Sequence, residues 1–145
     1  MTQRFILFLS VLFILQISSA AELDVSKYKG QVVYLDFWAS WCIPCKESFP
    51  WLNDLQKKYP KLKIIGVNLD KDKTAAAEFL KSYPAKFEIF YDADADMAKK
   101  YNVAGMPYSV LLNKDGTVHS SEIGFSKELA VKHMKNLEIL MGSAK

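Results

Sequence analysis

The chain holds two cysteines, Cys42 and Cys45, spaced as Cys-Ile-Pro-Cys. Two thiols at this spacing can close a disulfide, open it, or hold half of a metal site. The segment before them, Val32-Val33-Tyr34-Leu35-Asp36-Phe37-Trp38, is β-branched and aromatic and predicts a buried strand. The segment from Lys46 to Tyr59 has helical spacing. The cysteines therefore stand where a strand ends and a helix begins. Amides at a helix N-terminus favour nearby negative charge, which lowers a thiol's pKa and favours the thiolate nucleophile. Cys42, at the more exposed end, is the expected attacking thiol. Cys45, about one turn further on, is placed to resolve a mixed disulfide. Pro44 suits the first helical turn, where no amide donor is needed.

Zinc would want four ligands. The chain offers no second cysteine pair, and His119 and His133 lie far away in sequence. A purely structural bridge is also disfavoured, because so small a loop removes little entropy from the unfolded chain. Redox chemistry is the reading that remains.

The Trp-Cys-x-Pro-Cys-Lys motif, following an apolar strand that carries Asp36-Phe37-Trp38, resembles the thioredoxin superfamily. A later segment, Val103-Ala104-Gly105-Met106-Pro107, resembles that superfamily's Val-x-Gly-x-Pro loop. The resemblance implies a cis Met106–Pro107 bond packed against the cysteines. It also implies that the backbone of Met106 offers itself to a bound substrate as an added strand. Asp36, six residues before Cys42, matches a buried aspartate that assists proton transfer to the second cysteine. Desolvation would raise its pKa and fit it to act as base and acid for Cys45 near neutral pH. Thioredoxins often place a lysine near that aspartate on the adjacent strand; alignment puts Gly66 there. Without the cation, Asp36 should be pushed further toward its neutral form.

The elements that would position these groups follow from the rest of the chain. Half of the 145 residues are hydrophobic and 24% are charged, which fits one globular domain with a core. The formal charge of +3 is scattered, with no basic block to suggest nucleic-acid binding. Arg4, an apolar run from Phe5 to Ile17, and Ser18-Ser19-Ala20-Ala21 follow the order of a secretory signal. The run is short for a membrane span, which needs about 20 residues. Residues 1–20 are therefore expected to be a signal peptide, with an uncleaved anchor as the alternative, and residues 21–145 the domain. Export would place the protein in an oxidising, periplasmic-type compartment.

Ala21–Gln31 is expected to be a polar lead-in. Strands are predicted at about Val32–Trp38, Leu62–Leu69, Phe87–Tyr91, Tyr108–Leu112 and Val118–Ile123. Helices are predicted at about Ile43–Tyr59, Ala75–Tyr83, Met97–Tyr101 and from Ser126 onward. Asp92–Asp96 lacks the glycine and late glutamate of a calcium loop and is read as an acidic helix start. His133 lies on an apolar stripe with Ala130, Met134, Leu137 and Met141, and is expected to pack at the rim of the core.

The fold class is α/β, a thioredoxin-like fold with a central mixed sheet flanked by helices. An extra helix and strand at about Ala75–Tyr91, with the export signal, resemble the TlpA-like branch of exported thiol–disulfide oxidoreductases. Two positions depart from that branch. The glutamate it often carries three residues after the second cysteine is Ser48 here, with Glu47 on another helical face. Asp36 stands where many of its members have an uncharged amide.

The resemblance implies reduction of disulfides in partner proteins through Cys42, Cys45 and Asp36. Trp41, Ile43, Pro44, Met106 and Pro107 would meet the substrate. It implies no cofactor or metal, a membrane electron donor and a monomer. The alternatives are oxidation or isomerisation by the same pair, a non-enzymatic binding module, and a thiol peroxidase. Ile43-Pro44 between the cysteines includes no histidine to stabilise the thiolate, which favours a reducing or middling potential.

Overall fold

A computed structural model describes residues 23–142; the segment read as a signal lies outside them. After a 3₁₀ turn at Val25–Tyr28, the elements run β1 (Val33–Trp38), α1 (Cys45–Lys58), β2 (Lys63–Asn68), α2 (Lys73–Ser82) and β3 (Glu88–Tyr91). They continue with α3 (Asp96–Lys100), β4 (Tyr108–Leu112), β5 (Val118–Ile123) and α4 (Lys127–Met141). The order of strands and helices is the expected one, and the ends differ by a few residues. The lead-in is more than a polar arm, because Leu23 is buried in the core and Tyr28 packs against it.

The five strands form one mixed sheet in the order β3-β2-β1-β4-β5. β1 runs parallel to β2 and antiparallel to β4, so the strand that feeds the cysteines lies at the centre. All six of its residues are buried, as a strand covered on both faces requires.

Side chains alternate across a strand, and β1 splits accordingly. Val33, Leu35 and Phe37 pack with Ile65, Val67 and Met97, on the face covered by α3. Tyr34 packs with Leu52, Leu55 and Leu137, on the face covered by α1 and α4. Trp38 packs with Cys45 and Phe49 of α1 and with Ala76 and Phe79 of α2. Asp36 lies between Tyr34 and Trp38 on that second face.

The inserted α2 and β3 therefore do two things. β3 extends the sheet beyond β2 in parallel register, and α2 lays Phe79 against Trp38 and Phe49, with ring centroids 4.8 and 5.0 Å away.

The helix starts follow local chemistry. Asp72 caps α2 by accepting from the Thr74 amide at 2.8 Å, and Ser126 caps α4 by accepting from the Leu129 amide at 3.2 Å. Ala95, before α3, has no side chain that caps; the Asp92 carboxylate instead accepts from the amides of Asp96, Met97 and Ala98 at 2.9, 3.2 and 3.0 Å. The acidic turn is thus a helix start. Gly116, with φ +89°, turns the β4–β5 hairpin in the left-handed conformation its position demands. Among the described residues no helix is long and apolar enough to cross a membrane.

Candidate active site

Cys42 and Cys45 are joined as a disulfide with their Cα atoms 5.4 Å apart. Cys45 is the first residue of α1 and Pro44 stands in helical conformation just before it. The Cys42 amide donates to the Ala39 carbonyl at 3.0 Å, which closes the turn between β1 and the helix. Pro50 lies within α1. Both sulfur-bearing residues are largely covered: Cys42 is 4% exposed and Cys45 0%. The difference has the expected sign and is small. What stands open is the rim, with Trp41 69% and Ile43 73% exposed and Pro44 also at the surface.

The Met106–Pro107 peptide is cis, as the resemblance implies. Met106 packs against the cluster that contains both cysteines, and Pro107 is buried. The Pro107 carbonyl accepts from the Gly124 amide at 2.7 Å, tying the loop to the end of β5. Five of the expected substrate-facing residues thus fall in two groups: Trp41, Ile43 and Pro44 at the rim, and Met106 and Pro107 in the loop beside the cysteines.

Asp36 is 2% exposed, and its Oδ2 has no hydrogen-bond partner. Burial raises its pKa to about 8. Gly66 is its register partner on β2, where the resemblance places a lysine in thioredoxins. That space is filled from the insertion. A Cβ on Gly66 would come within 2.9 Å of Ile89 Cδ1, 3.0 Å of Phe87 Cε2 and 3.1 Å of Trp38 Nε1. The chain has apolar side chains where the cation would lie, so no charge at that position offsets the desolvation of the carboxyl group.

Sequence reading missed a brace beneath the site. The Asp70 carboxylate accepts from the Ser40 amide at 2.8 Å, from the Ser40 hydroxyl at 2.7 Å and from Asn68 Nδ2 at 2.7 Å. The Leu69 amide donates to the Trp38 carbonyl at 2.9 Å. These bonds fix the turn that presents Trp41 and Cys42 to the end of β2. Asp70 follows β2 in a polar run, and only its pairing with a serine 30 residues earlier sets it apart.

Two other expectations are resolved. Ser48 is buried and its hydroxyl donates to the Cys45 carbonyl at 3.1 Å, while Glu47 is exposed. Glu47 therefore does not substitute for the glutamate that Ser48 replaces. His133 is not at the rim: it is 2% exposed, with Nε2 3.2 Å from Ser109 Oγ and its ring against Tyr34 and Trp51. The apolar stripe of α4 faces a deeper layer than its sequence suggests, because Tyr34, Trp51 and Phe125 build aromatic walls over it. Among the described residues no cluster of three or more histidine, cysteine or acidic side chains could hold a metal.

A family model described as Redoxin matches residues 13–137. The chain belongs to the Redoxin family, within the thioredoxin superfamily. It is a homologue of the ResA and DsbE type of thiol–disulfide oxidoreductase, with Cys42–Cys45 as its CxxC pair. It is 32% identical over 127 residues to the thiol–disulfide oxidoreductase ResA of Bacillus subtilis, taking in 86% of this chain and 71% of that protein. The alignment to ResA of Bacillus thuringiensis is shorter, 35% identical over 99 residues, and takes in 57% of that protein.

Among solved structures, a Chlorobium tepidum protein described as a thiol:disulfide interchange protein DsbE superposes with TM-score 0.77 at 38% identity, over 80% of this chain and 84% of that one. A secreted Mycobacterium tuberculosis disulfide oxidoreductase, homologous to DsbE of E. coli, superposes with TM-score 0.68 at 26% identity, over 78% and 87% of the two chains.

Proposed function

We propose that this Redoxin chain reduces disulfides of partner proteins outside the cytoplasm. The observation that carries the reading is the Cys42–Cys45 disulfide at the start of α1, ringed by exposed Trp41 and Ile43 and backed by a buried Asp36 that lacks a charged partner.

In the reduced enzyme the Cys42 thiolate, stabilised at the helix N-terminus, attacks a substrate disulfide lying along Met106 and Pro107. One substrate sulfur leaves as a thiolate, and a Cys42–substrate disulfide forms. Asp36 takes the proton of the Cys45 thiol. The Cys45 thiolate attacks Cys42 Sγ, releases the second substrate thiolate and leaves the disulfide seen here. Two electrons have passed from enzyme to substrate. A membrane electron donor must return two electrons before the next cycle. The site acts as a monomer, and the partners are protein disulfides and dithiols.

Residues 1–20 serve as the export signal in this reading, with a retained anchor as the alternative. The secreted nature of the Mycobacterium tuberculosis relative supports that placement.

The test is trapping. Cys45→Ser should accumulate a covalent mixed disulfide with a model protein disulfide, visible as a mass increase that added thiol removes. Cys42→Ser should form none and should lose turnover to background. A Cys42→Ser chain that still turns over would overturn the reading, and one that keeps full biological activity would make this a binding module.

A further inference from the structure

Asp36 has a second cross-strand partner besides Gly66. In the antiparallel β1–β4 pair its register partner is Ser109, so the two side chains share a face with Cβ atoms about 4.5–5.5 Å apart. Ser109 is 4% exposed. Its Oγ lies 3.2 Å from His133 Nε2, and its own hydroxyl reaches the Glu122 carbonyl only at 3.4 Å, long for an O–H donor.

His133 Nδ1 is buried without a partner. A ring protonated at Nε2 leaves an acceptor unpaired there, and buried acceptors go unpaired more readily than buried N–H donors. His133 then donates to Ser109 Oγ and holds the oxygen, while the serine hydrogen is left to two neutral acceptors, the distant Glu122 carbonyl and the Tyr34 hydroxyl. Its register partner across the strand pair is Asp36, whose carboxyl Oδ2 is also unpartnered and becomes the stronger acceptor once it is charged.

We propose that Ser109, held by His133, is a positioning residue for Asp36: its hydroxyl turns from the Glu122 carbonyl to the Asp36 carboxylate when that group loses its proton. The proposal rests on the reading of Asp36 as the base for Cys45 and deepens it. A carboxylate that accepts a hydrogen bond is easier to form, so Ser109 brings a strongly desolvated Asp36 back toward the range where it can take a proton from a thiol.

The other groups around this pair are few. Tyr34, on the same strand, senses the Asp36 charge and hydrogen-bonds with Ser109; burial first and then the Asp36 carboxylate drive its pKa upward, and the bond to Ser109 opposes them. From β2 the register partner of Asp36 is Gly66, with Phe87 and Ile89 of the insertion packed beside that glycine. Cys45, the thiol that the proposed function assigns to Asp36, is held in the disulfide. His133 sees Glu122 from β5 and Lys132 from its own helix; burial pulls its pKa down to about 4, so it stays neutral where Asp36 titrates.

The experiment follows the Asp36 carboxyl carbon by NMR through a pH titration of the oxidised full chain. Removing the donor in Ser109→Ala should raise the Asp36 midpoint by about one unit, and Ser109→Thr, which keeps the hydroxyl, should restore it. His133→Phe should raise it by less, and His133→Gln, which keeps a donor near Nε2, should sit close to the parent. A folded Ser109→Ala chain with an unchanged or lowered midpoint overturns the proposal. An unchanged midpoint in His133→Phe overturns the part given to His133. The pH dependence of mixed-disulfide resolution, measured on the same variants, separates the two readings. If the Asp36 midpoint moves and the rate profile stays, the Ser109 coupling stands and the role of Asp36 toward Cys45 fails.

Discussion

The two faces of β1 carry different kinds of core. On the α3 face, Val33, Leu35 and Phe37 meet only apolar neighbours, and the buried polar group nearby, Asp92, is used by three amides. On the α1–α4 face lie Tyr34, Asp36 and Trp38. Three buried side-chain atoms lack partners among the described residues, and all belong to that face: Asp36 Oδ2, Trp38 Nε1 and His133 Nδ1. Unsatisfied buried groups cost free energy and so tend to mark function rather than stability. Both faces of the strand carry apolar core, but the titratable and unpartnered groups of β1 are confined to the second.

The sharpest way to break that division is to damage the α3 face. Leu35→Ala removes a side chain that is fully buried there. It should cost about 2–5 kcal/mol of unfolding free energy, read by urea denaturation, while folded molecules keep their rate of disulfide exchange. A large loss of exchange per folded molecule would mean that the faces are not separable.

The next test lies in pH. The folded chain keeps a proton on Asp36 up to about 8, whereas the unfolded chain releases it in the ordinary carboxylate range. The stability this provides is full at low pH and is lost as pH rises through about 8. His133 works the other way: its folded pKa lies near 4, below its ordinary 6.5, so stability is lost as pH falls through that window. Between about 4 and 6.5 the two slopes oppose each other. Above 6.5 Asp36 acts alone, and the oxidised protein should lose about 1.4 kcal/mol per pH unit up to about 8. Asp36→Asn should abolish that fall, leave stability rising from pH 4 to 6.5, and slow resolution of the mixed disulfide by tenfold or more. A parent chain with flat stability from pH 6.5 to 8 would remove the buried-acid reading.

The smallest effect on the fold is expected at the rim. Trp41→Ala should change stability by under about 0.5 kcal/mol, since the side chain is 69% exposed. It should raise KM for a protein disulfide more than for a small one, because a small disulfide does not reach the rim. Equal changes for both would move Trp41 out of the substrate surface.

The sequence made the α3 face and the cysteines legible because their signals are local. β1 is one apolar run, the cysteines are two residues apart, and Met106-Pro107 is a short motif. Gly66 could be placed opposite Asp36 because the parallel register follows from aligned strand ends. What filled the space at Gly66 could not be read, since Phe87 and Ile89 reach it through the insertion from more than 20 residues away. The Ser40–Asp70 brace was hidden for the same reason. The stripe on α4 gave the right face for His133 and the wrong depth, because depth there depends on the walls made by Tyr34 and Trp51.

The direction of electron flow is the central claim, and the midpoint potential of the Cys42–Cys45 pair tests it most directly. Equilibration in thiol redox buffers, followed by tryptophan fluorescence, reads it without a substrate. A value near about −270 mV is the expected result and fits a reductase fed by a membrane donor. A value near about −120 mV would make the pair an oxidant and reverse every step proposed for Cys42.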